Sequence, residues 1–165
     1  MDQPPLRKSV LATRALVTFS VGDGRYAAPV EEVAGLLDAD RLSQLPGRNP
    51  SMAGVVAFRG IVVPVLDLAA ALGVEESHAA SAYAIVLERG TDRFALLVRG
   101  MPRLVPARDA QHKEHPAPVE GESDGPVIHA VYEIAGRDVV SLDYWSLMDS
   151  IAPPAAFRLS GVGGR

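Results

Sequence analysis

The sequence predicts a mainly β protein in which two small barrels share one hydrophobic core. Three observations support this prediction. Short apolar runs alternate with glycine-containing turns, which is typical of β-hairpins. A pattern of hairpin, connection, hairpin, Leu-Asp and short helix occurs twice. The chain has 165 residues and no cysteine, so it is long enough to bury a sizeable core without disulfide or metal support.

The first hairpin is predicted to follow a loose N-terminal arm. Residues 1–13, MDQPPLRKSVLAT, contain no apolar segment of the kind found in signal peptides, and we expect them to form a flexible arm. The runs ALVTFSV and YAAPV flank Gly22-Asp23-Gly24 and indicate two paired strands. Pro29 restricts the second strand to a sheet edge or a bend. The next segment, EEVAGLLDA, is compatible with a helical turn or a third extended piece.

The second hairpin is predicted from GVVAFRGIVVPVLDL. We expect a strand over 54–58, a turn at Arg59-Gly60 and a strand over 61–67. The alanine-rich LAAAL that follows favours a short helix. Gly73 is expected to end this helix, because glycine is common just beyond helix C-termini.

The remaining chain predicts two more hairpins separated by a long loop. YAIVLERGTDRFALLVRGM turns at residues 89–92, and VIHAVYEIAGRDVVSLDYWSLMDSI gives a hairpin and a short closing helix. Residues 106–126 are polar and rich in proline and glycine, so we expect a loop there. Residues 153–165 are expected to form a flexible tail.

The two halves of the sequence resemble each other. Residues 22–27 superimpose on 90–95 with matching Gly, Arg, aromatic and Ala positions, and residues 55–60 superimpose on 131–136. Asp67 and Asp143 each precede a short helix, where we expect their carboxylates to cap the helix N-terminus. Two copies indicate a duplicated β unit, and a chance likeness between hairpins is the alternative.

The chemistry-bearing residues do not form a recognisable catalytic or cofactor motif. The net charge is −4 and the basic residues are scattered along the sequence, which argues against a nucleic-acid partner. No phosphate loop, dinucleotide fingerprint or nucleophile elbow is present. His112 and His115 are spaced like metal ligands but lie in the predicted loop without a clear third ligand. We therefore expect no catalytic, cofactor or metal residues; a small metal-dependent hydrolase using these histidines is the less favoured alternative.

Arg59 interrupts an otherwise apolar hairpin. Its counterpart in the repeat is Ala135, so the repeated fold does not require arginine there. One interpretation is an exposed hairpin tip that keeps the turn in water. The other is a partner contact, since an arginine among apolar residues such as Phe58, Ile61 and Val33 is typical of protein–protein interfaces.

The string GVVAFRGIVVPVLDLAAALGV closely resembles the signature of CheW-like domains. LVTFSVGDGRYAAPVEEVAGLL, YAIVLERGTDRFALLVRGM and VVSLDYWSLM extend the likeness over residues 14–152. The resemblance implies a single domain of two five-stranded SH3/OB-like β-barrel subdomains around a shared core, with short helices. Two departures stand out. Ala57-Phe58 replaces the usual Asn-Leu, and Arg99 stands where the family often has an acidic residue.

The resemblance also implies a function. CheW-like adaptors are not enzymes; they couple chemoreceptors to a CheA-type histidine kinase in membrane-associated arrays. We therefore expect a cytoplasmic adaptor without cofactor, nucleic-acid partner or direct membrane insertion, whose partners are the kinase regulatory domain and the receptor cytoplasmic tip. A specialised scaffold of a pilus, motility or developmental pathway is the alternative. The expected partner-binding residues are Arg59, Phe58, Gly60, Val30, Val33 and Leu36.

Overall fold

The computed structural model describes residues 13–44, 49–76, 81–114 and 126–151. The strands are β1 (Ala15–Val21), β2 (Gly24–Pro29), β3 (Val33–Asp38), β4 (Met52–Phe58), β5 (Ile61–Asp67), β6 (Ala82–Arg89), β7 (Asp92–Pro106), β8 (Gln111–Lys113), β9 (Ile128–Ile134) and β10 (Arg137–Leu142). The helices are α1 (Leu68–Leu72) and α2 (Tyr144–Ile151), and three 3₁₀ turns lie at Val30–Glu32, Ala39–Arg41 and Ala107–Asp109. The predicted mainly β fold is confirmed.

All four predicted hairpins are present, namely β1–β2, β4–β5, β6–β7 and β9–β10. Their turns have the left-handed backbone that two-residue hairpin turns require. Gly22 and Gly90 have φ of 57° and 61°, and Arg59 and Ala135 have φ of 50° and 52°. The corresponding turns of the two halves therefore share one geometry.

The ten strands form one continuous sheet that folds into two lobes. The first lobe contains β3, β4, β5, β6 and the N-terminal part of β7. The second lobe contains the C-terminal part of β7 with β1, β2, β8, β9 and β10. Strand β7 belongs to both lobes and bends between them at Gly100, where φ is 80°.

The lobes do not coincide with the two sequence repeats, because the repeats exchange strands. β3 follows the β1–β2 hairpin in the chain, yet it pairs with β6. The C-terminal part of β7 follows the β6–β7 hairpin, yet it pairs with β1. Each lobe is therefore completed by strands from the other half of the chain.

The duplication itself is visible in the strand register. β5 runs parallel to β7, with Val65 opposite Ala95. β10 runs parallel to β2, with Ser141 opposite Ala27. The superposition of the two sequence halves maps the first pair onto the second, so both halves use the same parallel register.

The core of the described residues consists of three apolar clusters. The main cluster lies between the lobes and draws on β1, β2, β5, β6, β7 and both helices. Val56, Val63 and Val86 belong to the interior cluster of the first lobe. A smaller cluster that includes Leu16 and Tyr132 fills the second lobe. The lobes therefore share a core, as predicted.

The short helices are capped as the sequence predicts. The Asp67 carboxylate accepts a hydrogen bond from the Ala70 N–H at 3.3 Å, and the Asp143 carboxylate accepts one from the Ser146 N–H at 3.1 Å. Gly73 ends α1 in the left-handed conformation. No helix among the described residues combines the length and the hydropathy needed to cross a bilayer.

Two segments differ in detail from expectation. EEVAGLLDA contains both the helical turn and the extended piece that the sequence allowed. Its start belongs to a 3₁₀ turn and its centre forms β3. The predicted loop over 106–126 is wrong for its first part, because Gln111–Lys113 pairs with β9 as β8. Residues 115–125 lie outside the described residues, as do residues 1–12 of the predicted arm and residues 152–165.

Candidate functional site

The hairpin turn between β4 and β5 presents Arg59 at the end of the first lobe. Its φ of 50° is a left-handed conformation, which costs an L-residue about 1–2 kcal/mol relative to glycine. Ala135 adopts the same conformation in the corresponding turn of the second lobe. The turn can therefore form without the arginine side chain, and the guanidinium is available for another role.

The Arg59 side chain is held against the lobe by two contacts. Its Cζ lies 4.7 Å from the centroid of the Phe58 ring, within cation–π range. Its Nη2 donates a long hydrogen bond of 3.5 Å to the carbonyl oxygen of Ala34 on β3. These contacts are worth about 1 kcal/mol at an exposed site. They orient the guanidinium along the outer edge of β3.

Phe58 supports this arrangement from inside the lobe. Its side chain is 7% exposed and belongs to the first-lobe interior cluster. A Cβ added at Gly35 would lie 2.5 Å from the Phe58 Cε1 atom, so only glycine leaves room for the ring. The ring therefore offers little surface to a partner, and it acts as the platform beneath Arg59.

Exposed apolar side chains lie on the strands next to this turn. Leu36 on β3 is 45% exposed, and Ile61 and Val62 at the start of β5 are 44% and 68% exposed. β3 pairs only with β6 within the described sheet, so its other edge is the one that Arg59 contacts. Apolar surface beside an arginine at a sheet edge is typical of a protein-binding region.

The predicted contact residues are only partly brought together. The turn places Arg59 and Gly60 beside β3 through the Ala34 contact. Val33 is half-buried and packs against the main cluster between the lobes. Val30 lies on the 3₁₀ turn before β3, outside the predicted contact strand. Of Val30, Val33 and Leu36, only Leu36 has an exposed side chain.

Two carboxylates fix the turn that precedes β3. Glu31 accepts hydrogen bonds from the Thr13 hydroxyl at 2.6 Å and from the Arg14 N–H at 3.0 Å. Partial burial pushes the pKa of Glu31 upward, but these hydrogen bonds outweigh it and hold the pKa below its usual value. Glu32 forms a 2.7 Å salt bridge with Arg89. The start of β1 and the start of β3 are thereby tied together.

The histidine pair does not assemble a metal centre in the described residues. His112 lies on β8 and packs edge-on against Tyr132 at 5.7 Å. The neighbouring Lys113 forms a salt bridge of 2.9 Å with Asp138. No group of three or more His, Asp or Glu side chains in the described ranges is placed to hold a metal ion. His115 lies outside those ranges.

Sequence reasoning missed a second feature, in the second lobe. Arg25, Arg99, Arg103 and Arg137 line one groove there, although they are scattered in the sequence. Strand alternation in the sequence indicates which residues of one strand share a face. It brings these arginines together only when the pairing of β1 with β7 is also known. That pairing joins residues about half the chain apart.

Comparison of the sequence with known proteins identifies relatives of this chain. The family model for the CheW-like domain matches residues 15–152. Protein PilI of Pseudomonas aeruginosa is 30% identical over 94 residues, which cover 57% of this chain and 53% of PilI. Chemotaxis protein CheW of Rhizobium meliloti is 23% identical over 141 residues, covering 85% of this chain and 88% of that protein. The match with PilI thus spans about half of the relative's length.

A solved structure has the same fold. The scaffolding protein TtCheW from Thermoanaerobacter tengcongensis superimposes with a TM-score of 0.66, covering 82% of this chain and 88% of that chain. The two sequences are 14% identical, so this likeness concerns the fold alone. The two-lobed architecture described above therefore recurs in a protein of distant sequence.

Proposed function

The chain belongs to the CheW-like domain family, and from this membership we propose that it is an adaptor that couples a chemoreceptor to a CheA-type histidine kinase. Membership of this family implies a scaffold role of the CheW type. The proposed partners are the regulatory domain of the kinase and the cytoplasmic tip of the receptor. An adaptor of this kind acts by binding alone, since holding both partners raises the effective concentration of each at the other.

The observation that supports the proposal is the difference between the two equivalent turns. Both have left-handed geometry, but only the first carries an arginine, which is held over Phe58 and has exposed apolar side chains on the neighbouring strands. A fold-stabilising role does not explain Arg59, because Ala135 makes the same turn. We propose that Arg59 and Gly60 contact a partner, together with Leu36 on β3. Phe58 lies beneath the guanidinium, and Val30 and Val33 lie on the segment that leads into this strand.

The test measures binding of the purified chain to the CheA-type regulatory domain and the receptor tip of the same bacterium. Arg59→Ala and Arg59→Glu are expected to weaken binding to one partner by at least about tenfold, as for a central interface arginine. Arg41→Glu changes the charge equally at an exposed site on a 3₁₀ turn and serves as the matched control. Both variants should stay folded, with melting temperatures lowered by at most about 4 °C, because alanine fits the equivalent turn and the lost contacts are worth about 1 kcal/mol.

Two results would contradict the proposal. If the wild-type chain binds neither partner, the coupling role fails. If it binds both but Arg59→Glu binds equally well, the adaptor role stands and the assignment of Arg59 to the contact fails.

A scaffold in a pilus-linked signalling pathway is the second candidate. The similarity to PilI, at 30% identity over 94 residues, favours it. The same binding assay separates the two candidates when the kinases of the flagellar and pilus systems are presented in parallel. Preferential binding to the pilus-associated kinase would select this alternative, and preference for the flagellar kinase would exclude it.

A further inference from the structure

A groove of about 450 Å³ opens in the second lobe between β1, β2, β7 and the β9–β10 hairpin. Four arginines line it, Arg25, Arg99, Arg103 and Arg137, and no acidic residue does. We call it the arginine groove. It lies in the other lobe from Arg59, so it is a separate surface from the one proposed above.

The strand pairing explains how the fold gathers these side chains. Ser20 on β1 lies opposite Arg25 on β2 and opposite Arg99 on β7. Residues directly opposite each other share a face of the sheet, so all three side chains lie on one face. Thr18, two residues earlier on the same face, is opposite Arg103. The register shift between Thr18 and Ser20 places extra residues of β7 at this point, where the strand bulges.

The charge of the groove is mostly uncompensated. Arg99 lies 3.9 Å from the Glu76 carboxylate. The other three arginines have no acidic group within 4.0 Å in the part of the chain that the structure describes. Val105 and Val139 contribute apolar surface to the lining. Apolar walls around like charges concentrate the positive potential, although the whole chain carries a net charge of −4.

The first lobe shows that the fold does not need this charge. In the superposition of the two sequence halves, Arg25 and Arg99 correspond to Arg93 and Glu31. Arg103 and Arg137 correspond to Gly35 and Ile61. Arg93 is paired with Glu88 in a salt bridge, so even the one shared arginine is neutralised. The ring of Phe58 fills the space beside Gly35, where the second lobe has Ile134 and Arg103. The open, basic groove is therefore specific to the second lobe.

We propose that the arginine groove binds a carboxylate-rich segment of a partner protein. The planar guanidinium matches a carboxylate with two parallel hydrogen bonds, so several arginines around one groove suit a run of glutamates or aspartates. Met101 also lines the groove and is 61% exposed, which adds an apolar contact that a peptide can use. A free anion or a nucleic-acid backbone would leave that contact unused.

The test uses fluorescence anisotropy with a labelled peptide of Glu-Leu-Glu repeats and its Gln-Leu-Gln counterpart. The wild-type chain is expected to bind the glutamate peptide and not the glutamine peptide, with affinity that falls as salt rises. Arg103→Glu and Arg137→Glu are each expected to weaken binding by at least about tenfold. Both side chains are exposed, so the melting temperature should stay unchanged; Arg137→Gln gives a milder second variant.

Arg41→Glu, in the first lobe, is the matched control and should bind like the wild type. Equal weakening by Arg41→Glu would show attraction by overall charge and overturn the proposal, as would no binding by the wild type. Tighter binding of a labelled single-stranded DNA oligonucleotide than of the glutamate peptide would also overturn it, in favour of a nucleic-acid site. Because neither kinase nor receptor is present, the result does not depend on the adaptor role.

Discussion

Replacing Ser141 with valine is expected to stabilise the protein. Ser141 is 1% exposed, and its hydroxyl oxygen has no hydrogen-bond partner in the described structure. Its equivalent in the other parallel ladder is Val65, which is fully buried. The same place in the fold therefore accepts valine in one half and holds an unpaired hydroxyl in the other.

The size of the effect follows from two contributions. An unpaired buried hydroxyl costs about 1–3 kcal/mol, and each added buried carbon contributes about 0.8 kcal/mol when it finds room. A cleft of about 500 Å³ borders Ser141 and can relieve crowding from the larger side chain. We expect Ser141→Val to raise the free energy of unfolding by about 1–2 kcal/mol. For a chain of this size, the melting temperature should rise by about 2–8 °C.

Thermal and urea denaturation followed by circular dichroism would measure this change. Ser141→Ala removes the hydroxyl without adding volume and should stabilise slightly or be neutral. Val65→Ser creates the same defect in the other half and should lower the stability by about 2 kcal/mol or more. If Ser141→Val and Ser141→Ala both lower the melting temperature, the hydroxyl makes a stabilising interaction and the reasoning is refuted.

Three further predictions use the same assays. Gly54→Ala should cost about 3 kcal/mol or more, because φ is 148° and the new Cβ would collide with the Ser43 carbonyl oxygen; a loss below about 1 kcal/mol would contradict this. Tyr144→Phe should cost about 1–2 kcal/mol, since it removes a buried 2.7 Å hydrogen bond to a backbone carbonyl, and an unchanged melting temperature would argue against that bond. Glu31→Gln should lower stability to the full extent above about pH 4.5, the ordinary glutamate pKa, because the folded-state pKa is lower. The difference from wild type should vanish as the pH falls through that folded-state pKa, and a pH-independent difference would exclude the linkage.

The sequence predicted the local structure of this chain well, because local structure follows from local chemistry. Gly22 and Gly90 can adopt the positive φ that a two-residue turn demands, and alternating apolar residues form the strands that flank them. Asp67 and Asp143 satisfy the free N–H groups at helix starts, a requirement visible from the residues alone.

The exchange of strands between the lobes could not be predicted in the same way. Nothing in VAGLLD indicates that β3 pairs with β6 rather than with β1 or β2. That choice depends on the shape of the whole sheet. The continuation of β7 beyond Gly100 was also hidden, since a glycine and a proline there are equally typical of a loop.

The candidate site was predicted in part. The mismatch between Arg59 and Ala135 marked the first turn as unusual, and the structure shows the arginine at a lobe end. Burial of Phe58 was not foreseen, because its partner position, Gly35, lies on a strand distant in sequence. The arginine groove was missed for the same reason, since scattered arginines become neighbours only through long-range pairing.

The exchanged strands constrain how the chain folds as it leaves the ribosome. The β1–β2 hairpin and β3 are synthesised early, yet both wait for partners from residues 82–106. Until then they present unpaired edges, which are prone to aggregate, and the late long-range contacts favour slow folding. Neither half of the chain contains all the strands of one lobe. Two fragments divided between α1 and β6 and produced in one cell should therefore reconstitute the protein only together, which suits the chain to split-reporter designs.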